Sequence, residues 1–450
     1  MVAGLALEMS VGSVVWNTLA WPVNGIVLAG FLLMIVLMFL MRKKVYAFRF
    51  IGTYQAAIPA IIYNLLLTLI LGFIRQDAEG TWLNNMLSFW PFVLIYVYVT
   101  VILGVITLNR MFKWKNDRIR NIAFLLNHFG LFLVLLTATL GHADLRRVKM
   151  VAVVGEFERQ ATTSDGLIQE MPFAIELKRF ILETYDDGMP KRYASEIHIQ
   201  TLSGKHIETV VDVNKPYEVE GWTIYQYGYD MQMGADSQIS VFELVSDPWL
   251  PFVYTGLFMM LSGAVLLVVY TRWPYKRLLP IALLVTVSLV CVSYLMPIIR
   301  STQLVPALQS PWFTPHILVY IICYSLMGAA AIIAIYSLIK SSFTSCLSPH
   351  PSLDNLVYIG LAFMTFGMIF GAFWAKEAWG DYWSWDPKET WAAITWFAYL
   401  AYVHYRHLPH HRVRLSLWLL ILSFLLLQMC WWGINYLPSA QQTSVHTYNM

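Results

Sequence analysis

The stretch from residue 374 to residue 391 reads WAKEAWGDYWSWDPKETW and holds five tryptophans and one tyrosine within eighteen residues. It connects two long apolar segments, roughly 355 to 374 and 390 to 406, and so lies at a membrane surface. Tryptophan and tyrosine collect at bilayer interfaces because an apolar ring carries a hydrogen-bonding edge. A few rings per helix are enough for that role. Five indoles in one connection predict a flat aromatic surface that stacks on a planar apolar ligand with a polar edge, such as a porphyrin.

The composition indicates a polytopic α-helical membrane protein. Of 450 residues, 58% are hydrophobic and 13% are charged, and the mean hydropathy is +0.58. These values exclude an ordinary soluble domain, whereas the net charge of +3 favours no class of partner. We expect about ten transmembrane helices, at roughly 22–41, 53–74, 89–108, 121–141, 250–271, 278–298, 316–339, 355–374, 390–406 and 415–434.

Lysine and arginine set the expected orientation. The loops at 42–49, 110–120, 272–277, 340–355 and 406–414 hold 16 of these residues, whereas the short loops on the other side hold four. The richer set is cytoplasmic by the positive-inside rule. Both termini, the tryptophan-rich segment 374–391 and the long segment 143–249 then lie on the outer side. We expect no removable signal peptide, because the start lacks the usual arrangement of a charged region, a short apolar region and a cleavage site.

Residues 143–249 are the one long polar stretch of the sequence. Hydrophobic and polar residues alternate in AIELKRFIL, SEIHIQTL, HIETVVDV and TIYQYGYD, with glycine and proline between these runs. Such alternation predicts an extracytoplasmic β-rich domain of about 100 residues. The four cysteines, Cys291, Cys323, Cys346 and Cys430, form no C-x-x-C pair, so neither a disulfide relay nor a metal-thiolate site is expected.

Three parts of the sequence resemble proteins of cytochrome c biogenesis. The pattern W-A-x-x-x-W-G-x-Y-W-x-W-D-P-K-E-x-W is similar to the tryptophan-rich WWD signature of haem-handling proteins. The runs MPFAIELKRFILETYDDGMPKRYASEIHI and VNKPYEVEGWTIYQYGYD resemble the extracytoplasmic domain of the ResB/CcsB family, and residues from about 300 to 450 resemble ResC/CcsA. Together these resemblances imply a fused, shortened System II cytochrome c synthase.

The resemblance divides the chain into four parts. Residues 1–142 would hold the first four transmembrane helices, the latter part being ResB/CcsB-like, and residues 143–249 the β-rich domain. Residues 250–277 would form the fifth helix, and residues 278–450 the ResC/CcsA-like transmembrane domain.

Two histidines lie within apolar spans. His128 belongs to the fourth span and His404 to the ninth, where an ionisable side chain is a functional hypothesis by default. His128 lies about 10 Å from the cytoplasmic end of its span, and His404 lies within about one turn of its own. Two imidazoles at similar depth predict a bis-histidine site for haem that arrives from the cytoplasm.

A second pair is expected on the outer side. His316 opens the seventh span after SPWFTP, and His446 lies in the tail QQTSVHTYNM, so the two flank the tryptophan-rich segment in sequence. The family resemblance implies that they are the outer axial ligands of haem iron. The tail departs from the usual Leu-His-Ser-Tyr-Gly run of the family, since it reads Val445, His446, Thr447 and Tyr448.

The charged residues of the tryptophan-rich segment have a structural role as well. Asp386, Pro387 and Glu389 match a capping box with proline at the first helical position, and Lys388 beside a helix N-terminus is placed to receive a haem propionate. The residues expected to contact haem in this segment are Trp374, Trp379, Tyr382, Trp383, Trp385, Asp386, Lys388 and Trp391.

The implied activity is that of a holocytochrome c synthase in the bacterial cytoplasmic membrane. It would carry ferrous haem b from the cytoplasm to the outer, periplasmic face and attach it to C-x-x-C-H motifs of apocytochromes c, with a thioredoxin-like reductant as a further partner and no nucleic acid. A haem exporter that serves a separate ligase is the first alternative. A System I haem lyase or haem-delivery protein and a structural subunit with an aromatic belt are the others.

Overall fold

The computed structural model describes residues 1–76, 82–114, 117–271, 303–344, 353–437 and 439–440. Within these ranges lie eleven α-helices and one β-sheet. The helices are α1 (Val2–Val11), α2 (Val23–Met41), α3 (Tyr46–Ile51), α4 (Tyr54–Phe73), α5 (Trp90–Phe112), α6 (Arg118–Gly141), α7 (Leu250–Tyr270), α8 (Phe313–Thr344), α9 (Leu353–Trp379), α10 (Pro387–Arg406) and α11 (Val413–Trp431).

The chain is a multi-pass membrane protein. Eight helices in the described ranges are long and apolar enough to cross a membrane, namely α2, α4, α5, α6, α7, α8, α9 and α11. The ninth expected span forms α10, which is 20 residues long but less apolar because it carries Lys388, Glu389 and Arg406. The span expected at 278–298 lies outside the described residues, so the number of ten remains a prediction. The short apolar helix α1 was not expected.

The segment between α6 and α7 folds as one antiparallel sheet, which confirms that this part of the chain is a β-rich domain. Its eight strands have the spatial order β5-β4-β3-β2-β1-β8-β7-β6. Alternate residues of β1, Val148, Met150 and Ala152, are buried, as the period of two requires. The strands are β1 (Arg146–Val153), β2 (Phe157–Thr163), β3 (Ile168–Thr184), β4 (Pro190–Thr201), β5 (His206–Asp212), β6 (Tyr217–Val219), β7 (Trp222–Tyr229) and β8 (Ile239–Ser246).

The first and last strands join this sheet domain to the membrane. Strand β1 follows α6, strand β8 precedes α7, and the two strands pair from Arg146 with Ser246 onward. Asp144 links the segments that meet at this junction. Its carboxylate accepts hydrogen bonds from the Trp249 indole, the Asn24 amide and the Trp21 backbone, each at 2.7 Å. The helices α6 and α7 also pack against each other, so the sheet is connected at both ends to one packed pair of helices.

Helices from the first and the second half of the sequence pack together in the membrane part. Helix α10 packs against α4 on one side and α11 on the other, and α9 packs against α7 and α8. The indole of Trp391 in α10 donates a hydrogen bond to the Gly72 carbonyl oxygen of α4 at 3.3 Å, and the Ser439 hydroxyl donates to the same oxygen at 2.9 Å. The tryptophan-rich segment is thereby held by helices from both halves of the sequence.

Candidate functional site

The tryptophan-rich segment is divided between two helices and the turn that joins them. Trp374 and Trp379 belong to the end of α9, whereas Trp391 belongs to the first turns of α10. The turn is sharp, since Gly380 has φ +78° and Trp385 has φ +59°. A left-handed backbone is uncommon for a residue with a large side chain, so this local conformation depends on the packing around it.

The rings of this segment do not form one flat surface, contrary to the expectation from their number. Trp374 and Trp379 are tilted by 46° with centroids 5.4 Å apart, and Trp383 and Trp385 are perpendicular at 5.8 Å. The physical reason is that each helix end and the turn between them point their side chains in different directions. The rings form a faceted surface in place of a plane.

Burial separates these rings into two groups. Trp391 is completely buried and Trp374 is 4% exposed, and Trp385 packs edge-on against Phe92 of α5. Trp379, Trp383 and Trp385 are all partly buried. Trp374 and Trp391 therefore belong to the core between the helices, and the other three rings present some accessible surface.

His316 lies next to this segment, at the start of α8. Its Nδ1–H donates a hydrogen bond to the carbonyl oxygen of Gly367 in α9 at 2.8 Å, and its ring meets that of Trp374 edge-on at 5.8 Å. A carbonyl oxygen only accepts, so the proton is on Nδ1 and Nε2 carries the lone pair. This is the arrangement of histidines that bind metal ions, in which the other ring nitrogen is fixed by a carbonyl or carboxylate. His446 lies outside the described residues.

The sheet domain holds the segment that precedes His316. The Tyr185 hydroxyl exchanges hydrogen bonds with the backbone of Leu304 at 3.0 and 3.1 Å. The Asn214 amide donates to the Pro306 carbonyl oxygen at 2.7 Å, and the next carbonyl, that of Ala307, accepts from the Trp374 indole at 2.8 Å. Sequence reasoning did not find these residues, because isolated polar residues in a β-rich domain give no signal of what they contact.

The sheet domain also contacts the tryptophan-rich segment directly. Arg147 of β1 forms an ion pair with Asp381 at 2.6 Å and a longer one with Glu243 at 3.4 Å. Glu243 is 6% exposed. Burial raises the pKa of its carboxyl group, and the nearby Arg147 and Lys149 oppose that rise only in part. A partly buried cation thus bridges the sheet and the turn that carries Trp383 and Trp385.

The predicted capping box at the start of α10 is confirmed. The Asp386 carboxylate accepts a hydrogen bond from the Lys388 backbone N–H at 2.8 Å, and the Glu389 carboxylate accepts one from the Asp386 backbone N–H at 3.2 Å. Two N–H groups that a helix start would leave unpaired are therefore satisfied. Pro387 occupies the first helical position, as expected.

The two histidines within the helices share one local arrangement. Nδ1–H of His128 donates to the Phe124 carbonyl oxygen at 2.9 Å, and Nδ1–H of His404 donates to the Leu400 carbonyl oxygen at 2.8 Å. In both rings Nε2 therefore carries the lone pair. The pairing of His128 with His404 in one site stays a prediction.

The donor set suits haem iron better than a bare metal ion. The described residues contain no group of three or more histidine, cysteine, aspartate or glutamate side chains that could hold a metal ion. Iron in a porphyrin needs only axial ligands from the protein, and neutral imidazole is a common one. A histidine beside a tryptophan, as His316 lies beside Trp374, fits that requirement.

Comparison with known proteins found two family matches and several relatives. Residues 249–440 match the family described as "Cytochrome C assembly protein", and residues 114–237 match the "ResB-like family". Proteins named "Cytochrome c biogenesis protein CcsA" from Guillardia theta, Chlorella vulgaris and Prochlorococcus marinus (strain MIT 9301) are 32%, 34% and 35% identical. The matches cover 44%, 33% and 35% of this chain and 75%, 59% and 62% of the three relatives.

Proposed function

Because the chain belongs to the CcsA family of cytochrome c biogenesis proteins and also carries a ResB-like segment, we propose that it is a holocytochrome c synthase. In this proposal it moves haem b from the cytoplasm to the outer face of a bacterial cytoplasmic membrane, which is the periplasmic face. There it attaches haem to the C-x-x-C-H motif of an apocytochrome c. The fusion of both parts in one chain would join haem transfer and attachment.

The proposed reaction is the addition of two cysteine thiols across the two vinyl groups of haem. In each addition the sulfur forms a bond to one vinyl carbon, the thiol proton moves to the other, and the double bond is consumed. Thiol and vinyl group exchange no electrons with an outside reagent, so the protein's task is to position the reactants. Free thiols and ferrous iron are required, and a thioredoxin-like reductant of the apocytochrome is the partner that this requirement implies.

His316 and His446 are the proposed axial ligands of the outer site. Support comes from the Nδ1–H hydrogen bond of His316 to the Gly367 carbonyl oxygen, which places the lone pair of the ring on Nε2. Trp379 and Trp383 would stack on the porphyrin, because their rings are partly exposed, whereas the partly exposed ring of Trp385 also packs against Phe92. The roles predicted for Trp374, Tyr382, Trp385, Asp386, Lys388 and Trp391 in haem contact remain proposals as well.

His128 and His404 are the proposed ligands of an inner site that receives haem first. Support comes from the hydrogen bonds of both rings, which place the lone pair on Nε2, the nitrogen that would bind iron. The proposed division of labour follows the four parts of the chain, 1–142, 143–249, 250–277 and 278–450. In it the sheet domain would guide the apocytochrome toward the outer site, because that domain contacts both Leu304 and Asp381.

The observation that carries the proposal is the contact between His316 and Trp374 inside the segment that matches the Cytochrome C assembly family. The test is co-expression with a C-x-x-C-H apocytochrome in a host without its own maturation system. The wild type should yield covalent haem after denaturing electrophoresis, whereas His316→Ala and His446→Ala should yield little.

His142→Ala is the matched control, because His142 is also on the proposed outer side but exposed at the end of α6. It should behave as the wild type. Haem that is bound by the wild type but never attached would identify an exporter. Normal attachment by both His316→Ala and His446→Ala would refute the proposed outer site.

A further inference from the structure

Arg110, near the cytoplasmic end of α5, does not behave like an ordinary positive-inside arginine. Its guanidinium carbon lies 4.9 Å from the centroid of the Phe124 ring. Its Nε atom is buried and has no hydrogen-bond partner among the residues that the structure describes. A long cationic side chain at a helix end normally extends its head to water. Here the Nε atom is withdrawn from water without a hydrogen bond, which is costly unless a ligand supplies the partner.

The same face of α5 carries a second buried hydrogen-bond donor. Thr107 lies one turn before Arg110 and is 3% exposed, and its hydroxyl oxygen likewise lacks a partner in the described ranges. Thr100 of the same helix shows the usual arrangement of a threonine within a helix, since its hydroxyl donates a hydrogen bond to the Tyr96 carbonyl oxygen at 3.0 Å. Residues three apart share a helix face, so Thr107 and Arg110 form a buried pair of donors.

This donor pair adjoins the proposed inner site. The Phe124 ring under Arg110 stacks on the His128 ring with centroids 3.8 Å apart and planes at 16°. The charge of Arg110 also acts on the His128 imidazole. A cation, a hydroxyl and a histidine with its lone pair on Nε2 therefore converge where α5 meets α6.

Among the residues that the structure describes, no acidic side chain forms an ion pair with Arg110. The one acidic residue between 110 and 120 is Asp117, and it pairs with Arg120 at 3.1 Å. An arginine fork beside a hydroxyl is suited to bind a carboxylate, with charge-assisted hydrogen bonds. Haem carries two carboxylates, its propionates, on one edge.

We propose that Arg110 and Thr107 bind a haem propionate at the inner site. The inference rests on the proposed function, since it needs haem at His128 and His404. It adds a selection step, because a porphyrin without a free propionate would lack a partner for Arg110. It also gives the incoming haem a direction, with its carboxylate edge toward the cytoplasmic end of α5 and α6.

The test measures binding directly and does not depend on attachment. Full-length protein carrying His316→Ala, so that the inner site is the one measured, is purified from haem-deficient cells and titrated with haem and with haem dimethyl ester. The parent should bind haem about 10- to 100-fold more tightly than the ester, the range that charged hydrogen bonds provide. Arg110→Gln should reduce this preference to about 1, Arg110→Lys should leave part of it, and Thr107→Val should lower it a few-fold.

Arg42→Gln is the matched control. Arg42 also lies at a cytoplasmic helix end and over an aromatic ring, 3.6 Å from the centroid of Phe39, but its guanidinium donates to the Phe39 carbonyl oxygen. It should keep the full preference for haem. The ratio of the two affinities does not depend on the fraction of folded protein, so a poorly folded variant still gives an answer.

Two outcomes overturn the inference, namely a parent without preference for haem and an Arg110→Gln variant that keeps the parent's preference. A third outcome concerns the proposed function. If His128→Ala in the same background binds haem as the parent does, the inner site is not at His128. That result would contradict the proposed function and would leave the propionate contact of Arg110 untouched.

Discussion

The ring of His316 is fixed by two residues of one helix, since Gly367 accepts its Nδ1–H at 2.8 Å and Gly371 leaves room for the ring. A Cβ atom on Gly371 would lie 2.9 Å from Cε1 of His316 and 3.1 Å from Nδ1. Gly371→Ala should therefore displace the imidazole by a few tenths of an ångström or more. Because misplacement of about 1 Å can cost roughly 100-fold in rate, we expect attachment to a co-expressed apocytochrome to fall about 10-fold or more.

Gly360→Ala is the control for that substitution. Gly360 lies on the same helix, and its added Cβ would meet the flexible end of the Met327 side chain at 2.9 Å. The methionine can move, so attachment should remain near the wild-type level. An equal loss of attachment in both variants would mean that Gly371 is needed for helix packing and not for the position of His316.

The proposed axial pairs predict a defined spectrum. Protein purified from haem-replete cells should contain non-covalent haem with a low-spin, six-coordinate ferrous spectrum, because two imidazoles fill both axial positions. His128→Ala and His404→Ala should remove haem from the whole protein, and added free imidazole should restore part of it. Full haem content in both variants would show that these histidines only pack between helices.

The tryptophans should divide according to their burial. Trp391 is completely buried and hydrogen-bonded to Gly72, so Trp391→Ala should lower the free energy of unfolding by about 3 to 5 kcal/mol. Trp379→Ala and Trp383→Ala should leave thermal stability almost unchanged and weaken haem attachment, since their rings are partly exposed. Thermal unfolding and covalent haem measured on the same preparations separate the two effects. Similar behaviour of all three variants would contradict the division.

Asp386 offers a test of capping against haem contact. Asp386→Ala removes the hydrogen bond to the Lys388 N–H and should cost about 1 kcal/mol of stability. Asp386→Asn keeps a good N-cap acceptor without the charge, so it should preserve stability in a thermal unfolding experiment. Loss of attachment in the stable Asp386→Asn variant would assign the carboxylate a role in the haem site.

Glu243 predicts a pH dependence of stability. Burial raises its pKa above the ordinary 4.5, so the folded protein disfavours the charged form. The resulting loss of stability is complete above the raised pKa and vanishes as the pH falls below 4.5. Glu243→Gln should therefore raise the thermal midpoint at neutral pH but leave it unchanged below pH 4.5. A stabilisation that is the same at both pH values would contradict this assignment.

The elements of this fold follow from local patterns that the sequence displays. Apolar runs predicted the helices, and the capping box of Asp386 and Glu389 marks the start of α10 in the sequence and in the structure alike. Alternation of polar and apolar residues predicted the sheet. Each of these signals lies within a window of a few turns or one strand, where periodicity alone decides the conformation.

The relations between distant elements could not be predicted in the same way. The ion pair of Arg147 with Asp381 joins residues from different domains, and nothing near either residue identifies its partner. The ring directions of Trp383 and Trp385 depend on the left-handed conformation of Trp385, which its residue type disfavours. The pairing of His128 with His404 is predicted from their depth alone, and their hydrogen bonds to Phe124 and Leu400 appear only in the folded helices.

The contacts between the sheet domain and the segment before His316 join parts of the chain that are synthesised at different times. Asn214 precedes its partner Pro306 by 92 residues, which a ribosome needs roughly 5 to 18 seconds to translate at about 5 to 20 residues per second. Strands β3, β4 and β5 are therefore complete before the segment that they bind exists. The sheet domain can therefore fold before the segment 303–307 is made, and it then offers that segment a surface on which the surroundings of His316 are assembled.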